Sequence, residues 1–178
     1  MINLPNLVTL LRLLMTPVVA VTISKGHYGR AFILFVLAGL TDIADGFLAR
    51  RLGSGTQTGA YFDPLTDKAL LVTIYFSLGA AGAMPWWMVG IVFGRDLLIL
   101  GMAAWGFLFT RYRQFPPSVW GKISTFLQIV AAAGVMLARI GADGGLSPAA
   151  LWLMLAATLW SGLHYAWKGI QLLRTADN

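Results

Sequence analysis

Seven carboxylates serve the whole 178-residue chain, all of them aspartates, and four fall in one short stretch as Asp42, Asp45, Asp63 and Asp67. Asp42 and Asp45 stand three apart in a run that reads as helix, so they share a face, with the small residues Gly46 and Ala49 beside them. Asp63 precedes Pro64 in the pattern of an N-cap followed by proline at the first helical position, and Asp67 lies four residues further on the same face. The intervening GSGTQTG has turn chemistry, and the two acidic faces can meet across it. Four carboxylates brought together in an apolar setting repel one another and are costly unless cations compensate them. An all-oxygen donor set with no cysteine in the chain and no histidine nearby suits hard ions, Mg²⁺, Mn²⁺ or Ca²⁺, rather than zinc. Two such ions sharing bridging aspartates suit displacement at phosphorus, which leaves the fourth acid free to act as a base. Capping alone accounts for only one of the four. The competing classes are a cation transporter, since ion and proton paths also use intramembrane acids, and a non-catalytic membrane scaffold.

The elements that must position these acids are apolar. The chain is 58% hydrophobic and 11% charged, with a mean hydropathy of +0.74 and no cysteine, which indicates an integral membrane protein of all-α class. A spanning helix needs roughly 20 mostly apolar residues. Six stretches qualify, at 5–24, 30–52, 64–83, 86–110, 119–140 and 148–170, separated by turn-rich breaks, and they make one membrane domain over 1–178. With six transmembrane helices both termini share a side. That side collects Arg12, Arg50, Arg51, Lys68, Arg111, Arg113, Lys122, Lys168 and Arg174, so it is expected to be cytoplasmic and to carry the site. Lys25, Arg30 and Arg139 lie at the opposite end, and Arg95 is left within the fourth span, where it needs a partner or a substrate. The first segment lacks the basic start of a secretory signal and holds Arg12 inside its apolar run. Topology and anionic headgroups account for the net charge of +6, so no nucleic acid is expected. The seven tryptophans read as interfacial anchors, GIVFG at 90–94 has the spacing of close helix packing, and the tail QLLRTADN is expected to fray. His27 and His164 stand apart from the aspartates, which argues against a catalytic histidine.

The run DIADGFLAR, Asp42 to Arg50, followed after eight residues by GAYFDPLTD, Gly59 to Asp67, resembles the signature of the CDP-alcohol phosphotransferases, also called phosphatidyltransferases, at every fixed position. PNLVTLLRL near the start, GRD at 94–96 and GKISTFLQ at 121–128 resemble further family segments in the same order. The resemblance implies a six-helix membrane enzyme, usually a homodimer, in a bacterial-type inner membrane, that moves a substituted phosphate from a CDP-linked donor to an alcohol and releases CMP. It implies Asp42, Asp45, Asp63 and Asp67 as ligands of two divalent cations, with Asp67 also deprotonating the acceptor hydroxyl. Gly46, Ala49, Arg50 and Gly59 match positions around the nucleotide diphosphate, and Asn6, Thr9 and Arg12 resemble the polar stripe that closes over it. Short loops and an immersed site suit the lipid donor CDP-diacylglycerol. Arg95, Arg111, Arg113 and Lys122 are candidates for an anionic acceptor, since guanidinium groups hold phosphate bidentately. The segments around Asp96 and Ser124 look closer to the CMP-forming cardiolipin synthases than to phosphatidylglycerophosphate synthases. In the latter a glutamate and a second lysine are expected at those places. Phosphatidylglycerol is therefore the expected acceptor, with glycerol-3-phosphate as the alternative.

Overall fold

A chain this apolar has to satisfy its backbone polar groups within each segment, and helices do so locally. The computed structural model describes residues 4–52, 57–109, 118–141 and 148–176, with side chains described at 10–41, 68–102, 104–105, 118–141, 148–169 and 171. Six helices follow one another: α1 (Leu4–Ser24), α2 (Tyr28–Leu52), α3 (Gln57–Ala80), α4 (Trp86–Phe109), α5 (Val119–Ile140) and α6 (Pro148–Ala176). No strand occurs among the described residues.

Glycines end α1 and α3 by the left-handed route. Gly26 has φ 73° and its N–H donates to the Ile23 carbonyl, while the His27 N–H reaches back to Thr22. Gly82, with φ 64°, does the same after α3, and the Ala83 N–H closes onto Leu78 at 2.8 Å.

The largest departures from the sequence-based limits lie at the start of α3 and the end of α6. α3 begins at Gln57, so Asp63 lies inside the helix rather than at its cap, and Pro64 is not its first residue. A side-chain cap contributes about 1 kcal/mol. In an apolar surround each unpaired backbone group costs several, and that favours extending the helix over the 57–62 stretch. α6 runs through Ala176, past the expected end at 170, so most of QLLRTADN is helical rather than frayed. Gln, Leu and Arg are strong helix formers, and a basic residue near a helix C-terminus suits its dipole.

The chain forms two units. In the first, residues 1–84 with 132–145, α1 packs against both α2 and α3 around Val19, Ile23, Ala31, Ile74, Tyr75 and Leu78. In the second, residues 85–131 with 146–178, α4 packs against α6 around Val89, Val92, Met154 and Leu155.

Polarity runs opposite to that of a water-soluble helix bundle. Along α1 the side chains of Arg12 and Thr16 are buried while Leu10, Leu11, Leu13 and Leu14 are about half exposed. On α5 and α6, Ser124, Gln128, Thr158 and Ser161 are buried while Phe126, Leu159, Trp160 and Leu163 face outward. Hydrocarbon solvent favours this arrangement, because polar groups find partners only inside the bundle. Among the described residues two segments, Val119–Ile140 and Pro148–Gly169, are long and apolar enough to cross a membrane. All seven tryptophans are substantially exposed, as anchors would be and as a ligand cage would not.

Candidate functional site

The first unit gathers every residue expected to handle metal and nucleotide. Asn6, Thr9 and Arg12 lie on α1, Asp42, Asp45, Gly46, Ala49 and Arg50 on α2, and Gly59, Asp63 and Asp67 on α3. Apart from Arg12, their side chains lie outside the described residues, and so does the meeting of the four carboxylates. The helical register is described: Asp42 and Asp45 are three apart in α2, and Asp63 and Asp67 are four apart in α3, spacings that keep each pair on one side of its helix. α1 contacts both of these helices.

Arg12 brings a positive charge into this unit at only 3% exposure, and Thr16, one turn on, donates its hydroxyl to the Arg12 carbonyl at 2.9 Å. A cation this buried needs compensating charge or hydrogen bonds. Carboxylate oxygens are donors of the kind that hard divalent ions take, and the chain has no cysteine thiolate to offer instead.

The second unit contains the proposed acceptor side. Arg95 on α4 is 8% exposed. Its Nη1 donates to Asp96 Oδ1 at 2.7 Å, and its Nη2 donates to Ser161 Oγ on α6 at 2.9 Å and to the Gly121 carbonyl on α5 at 3.4 Å. The guanidinium therefore ties three helices of one unit together, and its Nε–H is buried without a hydrogen-bond partner among the described residues. Lys122 is exposed on the first turn of α5. Arg111 and Arg113 lie outside the described residues.

Beside Arg95 runs a set of polar contacts that spacing had not brought out. The Ser118 hydroxyl accepts the Gly121 N–H at 3.1 Å and so caps α5, while the Ser118 N–H donates to the Tyr165 hydroxyl at 2.7 Å. Further along, Ser124 donates to Thr158 at 3.3 Å, and Gln128 Nε2 donates to Thr158 at 3.2 Å. The signal was available in the sequence: Gly121, Ser124 and Gln128 recur at helical spacing, as do Thr158, Ser161 and Tyr165. In an apolar helix such a polar stripe marks the face that meets another helix. By contrast, Gly90 and Gly94 of the GIVFG motif are exposed, and a methyl group built at either would meet nothing within 4 Å, so this motif packs no helix within the described residues.

Residues 2–160 match the family model described as CDP-alcohol phosphatidyltransferase. The chain is 35% identical to a probable phosphatidylglycerophosphate synthase of Mycobacterium tuberculosis (strain ATCC 25618 / H37Rv), over 95% of this chain and 82% of that one. It is 29% identical to the CDP-diacylglycerol--glycerol-3-phosphate 3-phosphatidyltransferase of Bacillus subtilis (strain 168), over 99% of this chain and 100% of that one. A probable cardiolipin synthase (CMP-forming) of Drosophila melanogaster is 30% identical over 96% of this chain, which spans about half (52%) of that longer protein.

Proposed function

Since the chain belongs to the CDP-alcohol phosphatidyltransferase family and is thus a membrane transferase of phospholipid synthesis, we propose that it moves a phosphatidyl group from CDP-diacylglycerol to the hydroxyl of phosphatidylglycerol, forming cardiolipin and CMP. The observation that carries the acceptor assignment is Ser124. It is fully buried and occupied with Thr158, and it supplies no second cation where a glycerol-3-phosphate enzyme is expected to carry one. Arg95, paired with Asp96, spends much of its guanidinium on the protein itself. Glycerol-3-phosphate is the second acceptor to test, favoured by the names of the mycobacterial and Bacillus relatives.

In this mechanism Asp42, Asp45, Asp63 and Asp67 hold two divalent cations, Mg²⁺ or Mn²⁺ with Ca²⁺ also able to occupy the site, and the cations supply charge neutralisation at the diphosphate. Asp67 takes the proton of the acceptor hydroxyl as its oxygen bonds to the β-phosphorus, and the bond to CMP breaks in line. Gly46 and Ala49 permit close approach of the diphosphate, and Arg12, Arg50, Asn6, Thr9 and Gly59 line the nucleotide end. Arg111, Arg113 and Lys122 serve the acceptor side, and Arg95 braces α4 against α5 and α6 there. The six helices all span an inner membrane, with both termini and the site on the cytoplasmic side, as the distribution of Lys and Arg supports. The protein is a homodimer, and the open glycine face of α4 supports that assembly.

The deciding assay is CMP release from CDP-diacylglycerol by purified protein with Mg²⁺ or Mn²⁺, with phosphatidylglycerol and glycerol-3-phosphate offered in parallel and the lipid product identified. Cardiolipin from the first acceptor alone is expected. Product from glycerol-3-phosphate alone would keep the mechanism and overturn the acceptor.

A further inference from the structure

At the end of the first unit remote from the aspartates, the turn after α1 and the last turn of α5 border an open, surface-facing cavity of about 270 Å³. His27, Tyr28, Gly29, Arg30 and Arg139 line it, and among the described residues no carboxylate does. Arg30 and Arg139 are more than a hundred residues apart in sequence, yet both face one hole. Convergence of like charges opposes folding and does nothing for packing. Arg139 is also held in place, because its Nη2 donates to the carbonyl of Gly82. α2 starts at Tyr28 with no acid in its first turn, so the uncommitted N–H groups of that turn add to the positive field.

A second observation tells what kind of anion belongs there. Below Arg30, on the same face of α2, come Ile33, Leu37 and Leu40, spaced i+3, i+7 and i+10, and they are 58%, 47% and 57% exposed. Beside Arg139, Ile140 lines the cavity and is itself 48% exposed. A cationic head above an uncovered apolar stripe matches a phosphate with acyl chains attached, whereas a soluble anion would make no use of the stripe. Arg30 and Asp42 are twelve residues apart on one helix, an axial distance of about 18 Å. One headgroup therefore cannot serve both ends.

We propose that this cavity is a binding site for the phosphate headgroup of an anionic phospholipid, distinct from the site of phosphatidyl transfer. The proposal rests on the membrane reading above and not on the acceptor. The test is native mass spectrometry of the full chain in detergent with saturating CDP and Mg²⁺, the CDP-bound mass confirming that the aspartate end is filled. Phosphatidic acid, which has no alcohol to act as an acceptor, is compared with phosphatidylcholine. Phosphatidic acid should be retained and phosphatidylcholine not. The double variant R30Q/R139Q should retain about tenfold less, the loss expected on removing two charge-assisted phosphate contacts, while R30K/R139K keeps most of the binding and so reports an intact fold. Equal retention by wild type and R30Q/R139Q, or of both lipids, would overturn the proposal. Stripping of the lipid by millimolar inorganic phosphate would overturn the lipid assignment in favour of a free anion. Failure of CDP to bind would count against the transferase site alone, because lipid retention is read independently of it.

Discussion

Asp67 and Arg95 are both charged groups in an oily chain, and they are kept for different reasons. Asp67 is the base of the proposed mechanism. Asp67→Asn should lower CMP release by about 10²- to 10⁴-fold while calorimetric titration still shows CDP and metal binding. Turnover close to wild type would sink that role. Chelation with EDTA should stop CMP release, and added Mg²⁺ or Mn²⁺ should restore it, if the aspartates hold hard cations. Arg95, in contrast, bonds to Asp96, Ser161 and Gly121. Arg95→Ala leaves these partly buried groups unmatched and should cost about 3 kcal/mol, seen as a drop of several degrees in the unfolding midpoint in detergent. Arg95→Lys should recover only part of it, since an ammonium cannot reproduce the fork. An unchanged midpoint with a raised KM for the acceptor would show instead that Arg95 acts on substrate. The helical register of the four aspartates was legible in the sequence because spacings of three and four fix it, while the meeting of their carboxylates lies outside the described residues. Of the partners of Arg95, Asp96 is its neighbour in sequence, whereas Ser161 was not legible because it stands 66 residues away.

Helix boundaries fell where glycine, proline and short polar runs interrupt apolar segments, and α1, α4 and α5 lie within a residue of the sequence-based limits. α3 starts earlier because capping preference is weak against the need to pair backbone groups. Contacts between elements depend on single small residues. A Cβ at Gly121 would come within 3.2 Å of the Tyr165 ring and 3.3 Å of Arg95 Nη2, so Gly121→Ala should push both aside and destabilise by about 1–3 kcal/mol, measurable as a lower unfolding midpoint. Gln128→Leu removes the bond to Thr158 and should cost about 0.6 kcal/mol, up to about 1.7, by the same assay. A cost no larger for Gly121→Ala than for Gln128→Leu would mean that the Arg95 junction yields easily.

Across the whole molecule, orientation is the property most exposed to test. The native chain has no cysteine, so single replacements can be labelled without background. With six spans and cytoplasmic termini, K25C should react with an impermeant maleimide from outside intact cells, and R174C should react only after permeabilisation. Labelling of both from the same side would remove the six-span topology.

Composition, acid count and turn residues determined by themselves that the chain is helical and lipid-adapted, and the register that sets Asp42 three residues from Asp45 in α2 and Asp63 four from Asp67 in α3. Those properties are local: they follow from residue type and from spacing of three or four along one helix. Tertiary structure alone decided that Arg95 is braced by α5 and α6, that Ser124 and Gln128 meet Thr158, and that Arg30 and Arg139 share one cavity. Each of these joins residues 26 or more positions apart, and groups that distant meet only when helix packing has fixed which faces turn inward.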